Sequence, residues 1–201
     1  VQTRTYASLF NVVKSLAGVN DFTSEEDGYI LTFTNRRFKQ AYDAYPYWER
    51  YLVAGESREV GANSIVPFTQ TGKDNIGEFL RVHRNQPFSR NSTIEYDFYV
   101  TGEGASLLNI QSGSSDSVYV TYKKEVPFIT FADSIPLEFY YFIAHGVYAD
   151  FLRMDGQNEK AIIEEQLALQ YLDDELGKAS IIANTNIVGK KISTYVNRQS
   201  R

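Results

Sequence analysis

The stretch Leu137–Met154 limits what this chain can fold into more than any other part of it. Phe139, Tyr140, Tyr141, Phe142, Ile143, Val147, Tyr148, Phe151 and Leu152 would cover nearly the whole circumference of one helix. A surface helix keeps a polar face, whereas one that is apolar all round must be covered on every side. Glu138, His145, Asp150 and Arg153 interrupt the run and make it too polar for a membrane span. The helix must therefore be wrapped, by the rest of the chain or by another subunit.

The sequence on either side offers the wrapping. In 5–18, Tyr6, Leu9, Phe10, Val13, Leu16 and Ala17 recur at helical spacing, and Gly18 suits a left-handed stop. Thr23-Ser24-Glu25-Glu26 has the form of a capping box. It opens a second helix in which Leu31, Thr34, Phe38, Tyr42 and Tyr45 share a stripe, while Arg36, Arg37 and Lys39 give a basic side. Pro46 ends it. Beyond the apolar helix, Gly156 is a stop and Asn158 a cap for a fourth helix, 159–183, with Leu169, Leu172, Leu176 and Ala179 as its packing seam. The last residues, 188–201, lose that seam and carry Lys190, Lys191, Arg198 and Arg201 with no acid.

Between the helical pairs the period changes from 3.6 to two. Ile94, Tyr96, Phe98 and Val100 alternate with Glu95, Asp97 and Tyr99, and Val118, Val120 and Tyr122 alternate with Tyr119 and Thr121. Runs at 51–54 and 79–82 have the same β-branched and aromatic texture, with turn clusters at 72–75, 102–104 and 111–116. The expected fold class is α+β: a four-helix bundle with an inserted antiparallel β-sandwich or barrel-like domain and an extended C-terminal arm. The corresponding segments are 1–49 and 131–187 for the helical pairs, 50–130 for the β insert and 188–201 for the arm.

Composition narrows the chemistry. The chain of 201 residues has no Cys, two His and one Met, which removes disulfides, thiol catalysis and Cys-based metal sites. A formal charge of −5 argues against general nucleic-acid binding. Gly102-Glu103-Gly104 begins a G-x-G, yet position 107 is Leu, so the phosphate-binding pattern is incomplete. His83 reads as a surface imidazole and His145 as a hydrogen-bonded core or interface residue. The pairs Glu25/Glu26, Glu164/Glu165 and Asp173/Asp174 point about 100° apart on a helix, which fits a solvated face better than a two-carboxylate site. Asn91-Ser92-Thr93 matches a glycosylation acceptor, but no signal-peptide pattern opens the chain and the match is read as accidental. No catalytic, cofactor or metal residue is expected. The Tyr45-Pro46-Tyr47-Trp48 cluster is a helix-to-strand corner or a partner contact, since Tyr and Trp anchor interfaces well. Phe142 and Tyr148 join Tyr45, Tyr47 and Trp48 as interface candidates.

One resemblance runs along most of the chain. Tyr119-Val120-Thr121-Tyr122-Lys123-Lys124, a short proline linker, Ile135-Pro136-Leu137, Phe142-Ile143-Ala144, Tyr148-Ala149-Asp150-Phe151-Leu152 and Gly156-Gln157-Asn158-Glu159-Lys160-Ala161 together resemble the head-to-tail adaptor (connector) proteins of tailed bacteriophages, of the tubular-tail-protein-A type. The resemblance implies a virion protein of the head–tail junction, made in the cytoplasm of a bacterial host. Twelve copies would form a ring between the portal protein and a tail nozzle or tail-tube protein. DNA would pass through the lumen without specific binding, and neither cofactor nor membrane would be involved. It also implies a portal-binding arm, on which Lys190, Lys191, Ile192, Tyr195, Val196, Arg198 and Arg201 are the candidate contacts. Two other classes fit the residues: a β-sandwich carbohydrate-binding module or hydrolase with helical flanks, and another phage neck or head-completion ring.

Overall fold

The structure is a computed structural model and describes residues 2–87, 94–108 and 117–199, as backbone alone beyond residue 180. The chain divides into two compact units: Val1–Tyr45 with Phe128–Arg201, and Pro46–Pro127.

The first unit is helical. Strand β1 (Thr3–Thr5) pairs antiparallel with β8 (Ser134–Pro136), Arg4 opposite Ile135. Each runs straight into a helix, β1 into α1 (Tyr6–Ala17) and β8 into α3 (Leu137–Met154), so this small ribbon sets the two helices side by side. The side chain of Thr5 caps α1 by accepting from the Ser8 N–H, and Gly18 closes the helix with φ 70°. That left-handed turn lets the Val19 N–H donate to the Lys14 carbonyl at 3.1 Å. Helix α2 (Ser24–Asp43) opens on the expected capping box: the Thr23 N–H donates to Glu26 at 2.7 Å, and the Glu26 N–H donates back to the Thr23 hydroxyl. Helix α4 spans Asn158–Gln199.

A four-helix bundle is not present among the described residues. Helix α3 is instead a hub against which α1, α2 and α4 each pack. The reason lies in unequal faces. Along α3, Phe139, Tyr140, Phe142, Ile143, Val147 and Leu152 are buried in different directions, whereas α1 buries only Tyr6, Leu9 and Val13. Lengths differ as well. At 1.5 Å per residue the 42-residue α4 is about 63 Å long and the 18-residue α3 about 27 Å, so α3 can lie along less than half of its partner.

The expected extended arm is also corrected, because the backbone is helical to Gln199. Losing an apolar stripe is no stop signal. Helices end at Pro, at glycine in a left-handed turn, or where capping takes over, and 158–199 contains no Pro.

The second unit holds two three-stranded antiparallel sheets rather than a single closed barrel. In one, β7 (Ser117–Lys124) lies between β2 (Leu52–Glu59) and β4 (Ile76–His83). In the other, β6 (Gly104–Leu107) lies between β3 (Ile65–Pro67) and β5 (Phe98–Val100). Both contribute to one core: Ile76, Phe79, Val82, Val118, Val120 and Tyr122 from the first, Val66, Ala105 and Leu107 from the second. Gly104 sits at φ 155° where β6 meets β3, and a Cβ there would run into the Val66 carbonyl. This close approach requires glycine.

Candidate functional site

The densest group of charges in the helical unit surrounds Arg37. The sequence places this residue on a basic side of α2, and its side chain is buried. Two carboxylates explain why. The Arg37 Nε and Nη2 donate to the two oxygens of Asp150 on α3 at 2.8 and 2.7 Å. Its Nη1 and Nη2 donate to the two oxygens of Glu165 on α4 at 2.7 and 2.6 Å. Arg36 adds a further ion pair to Asp150. Arg153 reaches Asp150 at 3.2 Å and Glu165 at 3.0 Å. Three helices are thus tied by three guanidinium groups and two carboxylates, in the bidentate geometry that makes arginine pairs strong. Hydrogen bonding from Arg37, more than any other influence, holds the Glu165 carboxyl below the usual range.

Glycine makes room for this cluster. Gly146 sits in the middle of α3, one turn before Asp150, and a Cβ there would lie 3.0 Å from both Cδ and Nε of Arg37. An apolar helix that carries a mid-helix glycine four residues before a buried acid leaves space for an incoming cation. That pair was the signal for a buried arginine in the sequence.

A second group lies farther along the same helix pair. His145 Nδ1 and Glu164 Oε2 are 2.8 Å apart, and the imidazole stacks on Tyr171 with centroids 5.3 Å apart. Tyr171 stacks in turn on Tyr141, also at 5.3 Å. His145 is therefore hydrogen-bonded between α3 and α4, as the sequence suggests. Glu164 and Glu165, adjacent in sequence, are not one solvated pair: the first faces His145 and the second Arg37.

In the β unit the corresponding knot is Arg58, which is fully buried. Its Nε donates to Glu56 at 2.8 Å, and its Nη2 donates to the Asp74 carbonyl at 2.6 Å and the Tyr122 hydroxyl at 2.7 Å. The guanidinium also lies 4.8 Å from the Tyr122 ring centroid. Burial above all pushes the Tyr122 phenol up to about 12. His83, expected at the surface, is buried at the end of β4, bridged to Glu95. Its Nδ1 has no hydrogen-bond partner among the described residues.

These clusters join elements. None sets a nucleophile against a base, and among the described residues no three His, Asp or Glu side chains converge as a metal site would require. No described helix is long and apolar enough to cross a membrane.

The interface candidates are scattered. Phe142 is buried inside the helical unit and Tyr148 is half-buried, its phenol pushed up by burial and then by the nearby Glu164 charge. Trp48 is buried in the β unit, Tyr47 is exposed and Tyr45 half-buried. The side chains of Lys190, Lys191, Ile192, Tyr195, Val196, Arg198 and Arg201 lie outside the described residues. Compared with known proteins, the chain matches no protein-family model and no curated sequence.

Proposed function

We propose that this chain is a structural subunit of a phage head-to-tail adaptor, twelve copies of which form a ring joining the portal to the tail and continuing the DNA channel. The observation that carries the reading is the order of the elements. Two helices, an interposed β unit and two further helices that return to the same helical unit support it, because the likeness to the adaptor family is one of element order along most of the chain. The charged clusters support it as well, since the side chains around Arg37 and Arg58 pair with one another inside their units. Each copy adds a net charge of −5, and a channel lined by such surface repels DNA and lets it slide. In this reading the protein belongs to the virion at the head–tail junction and catalyses nothing. A hydrolase screen giving turnover that is abolished by His83→Ala or His145→Ala would oppose it.

Contact with the portal falls to the end of α4. As helix, its last fourteen residues reach about 21 Å, roughly half of what an extended arm would span. Lys190, Lys191, Arg198 and Arg201 would seek an acidic groove, with association slowing as salt rises. A chain ending at Ile187 tests this. It should melt like the full chain yet fail to bind purified portal, and equal portal binding by both would reject the assignment.

A further inference from the structure

The charges around Arg37 do not balance. Three guanidinium groups, of Arg36, Arg37 and Arg153, meet two carboxylates, of Asp150 and Glu165, which leaves one positive charge over. The surplus lies at the rim. Arg37 and Asp150 have only 4% and 2% of their side chains exposed, whereas Arg36 and Arg153 keep 53% and 42%. The two rim arginines come from different helices, α2 and α3, and converge on one buried carboxylate. Arg36 Nη2 lies 2.5 Å from Asp150 Oδ2, and Arg153 Nη1 lies 3.2 Å from Asp150 Oδ1. Nitrogens held by the two oxygens of one carboxylate are at most about 8 Å apart, a gap that a tetrahedral oxyanion spans with one hydrogen bond to each.

Most donors of the rim pair remain available. Each arginine commits one terminal nitrogen to the cluster, and the Nε and other terminal nitrogen of both have no hydrogen-bond partner among the described residues. Both groups are nevertheless held in place. The Arg36 guanidinium also lies 5.3 Å from the Phe33 ring centroid, and Arg153 is tied a second time, to Glu165 at 3.0 Å. Donors fixed before a ligand arrives lower the entropic cost of binding it. The two acids offer little opposition, because both oxygens of each already accept from Arg37.

We propose that Arg36 and Arg153 form a phosphate clamp on the solvent side of Asp150, taking the phosphoryl group of a small molecule. Geometry and charge select the ligand. Guanidinium forks match phosphate oxygens, and a tetrahedral group presents oxygens to both forks at once, whereas a flat carboxylate fills one fork at a time. An added anion also offsets the surplus charge. The net charge of −5 on the chain repels a long polyanion, so the phosphoryl group belongs to free phosphate or to a small phosphate monoester. Bound there, it joins α2 to α3 from outside, as Asp150 joins them from within. The clamp does not depend on the adaptor reading, and the loss of either leaves the other standing.

Isothermal titration of the full-length chain with inorganic phosphate, and separately with a nucleoside monophosphate, tests the clamp against chloride at matched ionic strength. Saturation at one phosphoryl group per chain is expected. Arg36→Gln and Arg153→Gln should each weaken binding about tenfold or more, and the double variant should lose it. Lys39→Gln, which removes a neighbouring exposed cation of α2, should change it by less than about threefold. Far-UV spectra follow folding. Should the double Gln variant melt early, Arg36→Lys with Arg153→Lys keeps both charges, removes both forks and should weaken binding about tenfold as well. Equal affinity for the two probes supports free phosphate as the ligand, and tighter binding of the nucleotide supports a monoester. No saturable binding above the chloride control would overturn the proposal. So would binding that survives loss of both arginines, or an equal loss in Lys39→Gln, which would make the attraction one of diffuse charge.

Discussion

Gly146→Ala should destabilise this protein, and the same change should stabilise it once Arg37 is gone. Alanine in place of a mid-helix glycine ordinarily favours the folded state by about 1 kcal/mol. Here the new Cβ would sit 3.0 Å from Cδ and Nε and 3.3 Å from Cγ of Arg37. The arginine cannot swing aside, because Asp150 and Glu165 each hold it by two hydrogen bonds. Overpacking of this kind costs about 1–3 kcal/mol, so the net effect is a loss of about 1 kcal/mol. Arg37→Ala alone removes those four bonds. Asp150 keeps Arg36 and Arg153, so the loss falls at the lower end for a broken buried pair, about 3 kcal/mol. For a chain of this length that is a fall in Tm of about 6–12 °C. Adding Gly146→Ala to Arg37→Ala then recovers about 1 kcal/mol, because the clashing atoms are absent and the helix propensity remains. Far-UV circular dichroism follows the helices, while Trp48 fluorescence reports on the β unit separately. Acid titration gives a second arm. The folded Glu165 pKa is depressed, so its contribution is present above the unfolded value of about 4.3 and is lost as pH falls through the folded value. In Arg37→Ala that acid dependence should flatten. Stabilisation of the otherwise native chain by Gly146→Ala, or continued destabilisation in the Arg37→Ala background, would refute this account of the cluster.

Phe142→Ala should cost roughly 3–5 kcal/mol in the isolated chain, because the ring is buried within its own unit; a denaturant midpoint equal to that of the native sequence would show that the ring packs elsewhere. Tyr148→Ala, at a half-buried position, should cost less, and a larger loss than Phe142→Ala in the same melts would reverse the order of burial assigned here. Gly104→Ala should destabilise the β unit by several kcal/mol, since both a positive φ and the Val66 carbonyl oppose a side chain; a Trp48 fluorescence transition unchanged within about 0.5 kcal/mol would contradict the close approach of β6 to β3.

The parts of the fold governed by local pattern were legible in the sequence. The Thr5 and Gly18 ends of α1 and the Thr23–Glu26 box follow from capping chemistry and helical spacing, the limits of α3 from the flanking Pro136 and Gly156, and each is seen. The strands were less so. Register shifts at Val53/Glu56, Ile76/Glu78 and Phe79/Arg81 break the period of two that identifies a strand. Of the expected run at 93–100, the described residues 94–100 form only β5 and a bridge at Glu95. The charged clusters were not legible for a different reason. Arg37 stands beside Arg36 and Lys39 in sequence, and its partner Asp150 is 113 residues away, so local composition shows only a basic side. Arg58 likewise owes its burial to Tyr122 and the Asp74 carbonyl, neither of them near in sequence. Four helices suggested a bundle because periodicity counts helices and says little about which of them touch.

The most direct test of the adaptor reading is a cryo-EM map of tailed particles made by the source of this chain. The account predicts twelve copies in a ring immediately below the portal, with the end of α4 directed toward the portal. A ring of another symmetry at that level, or a junction built without this chain, would contradict it.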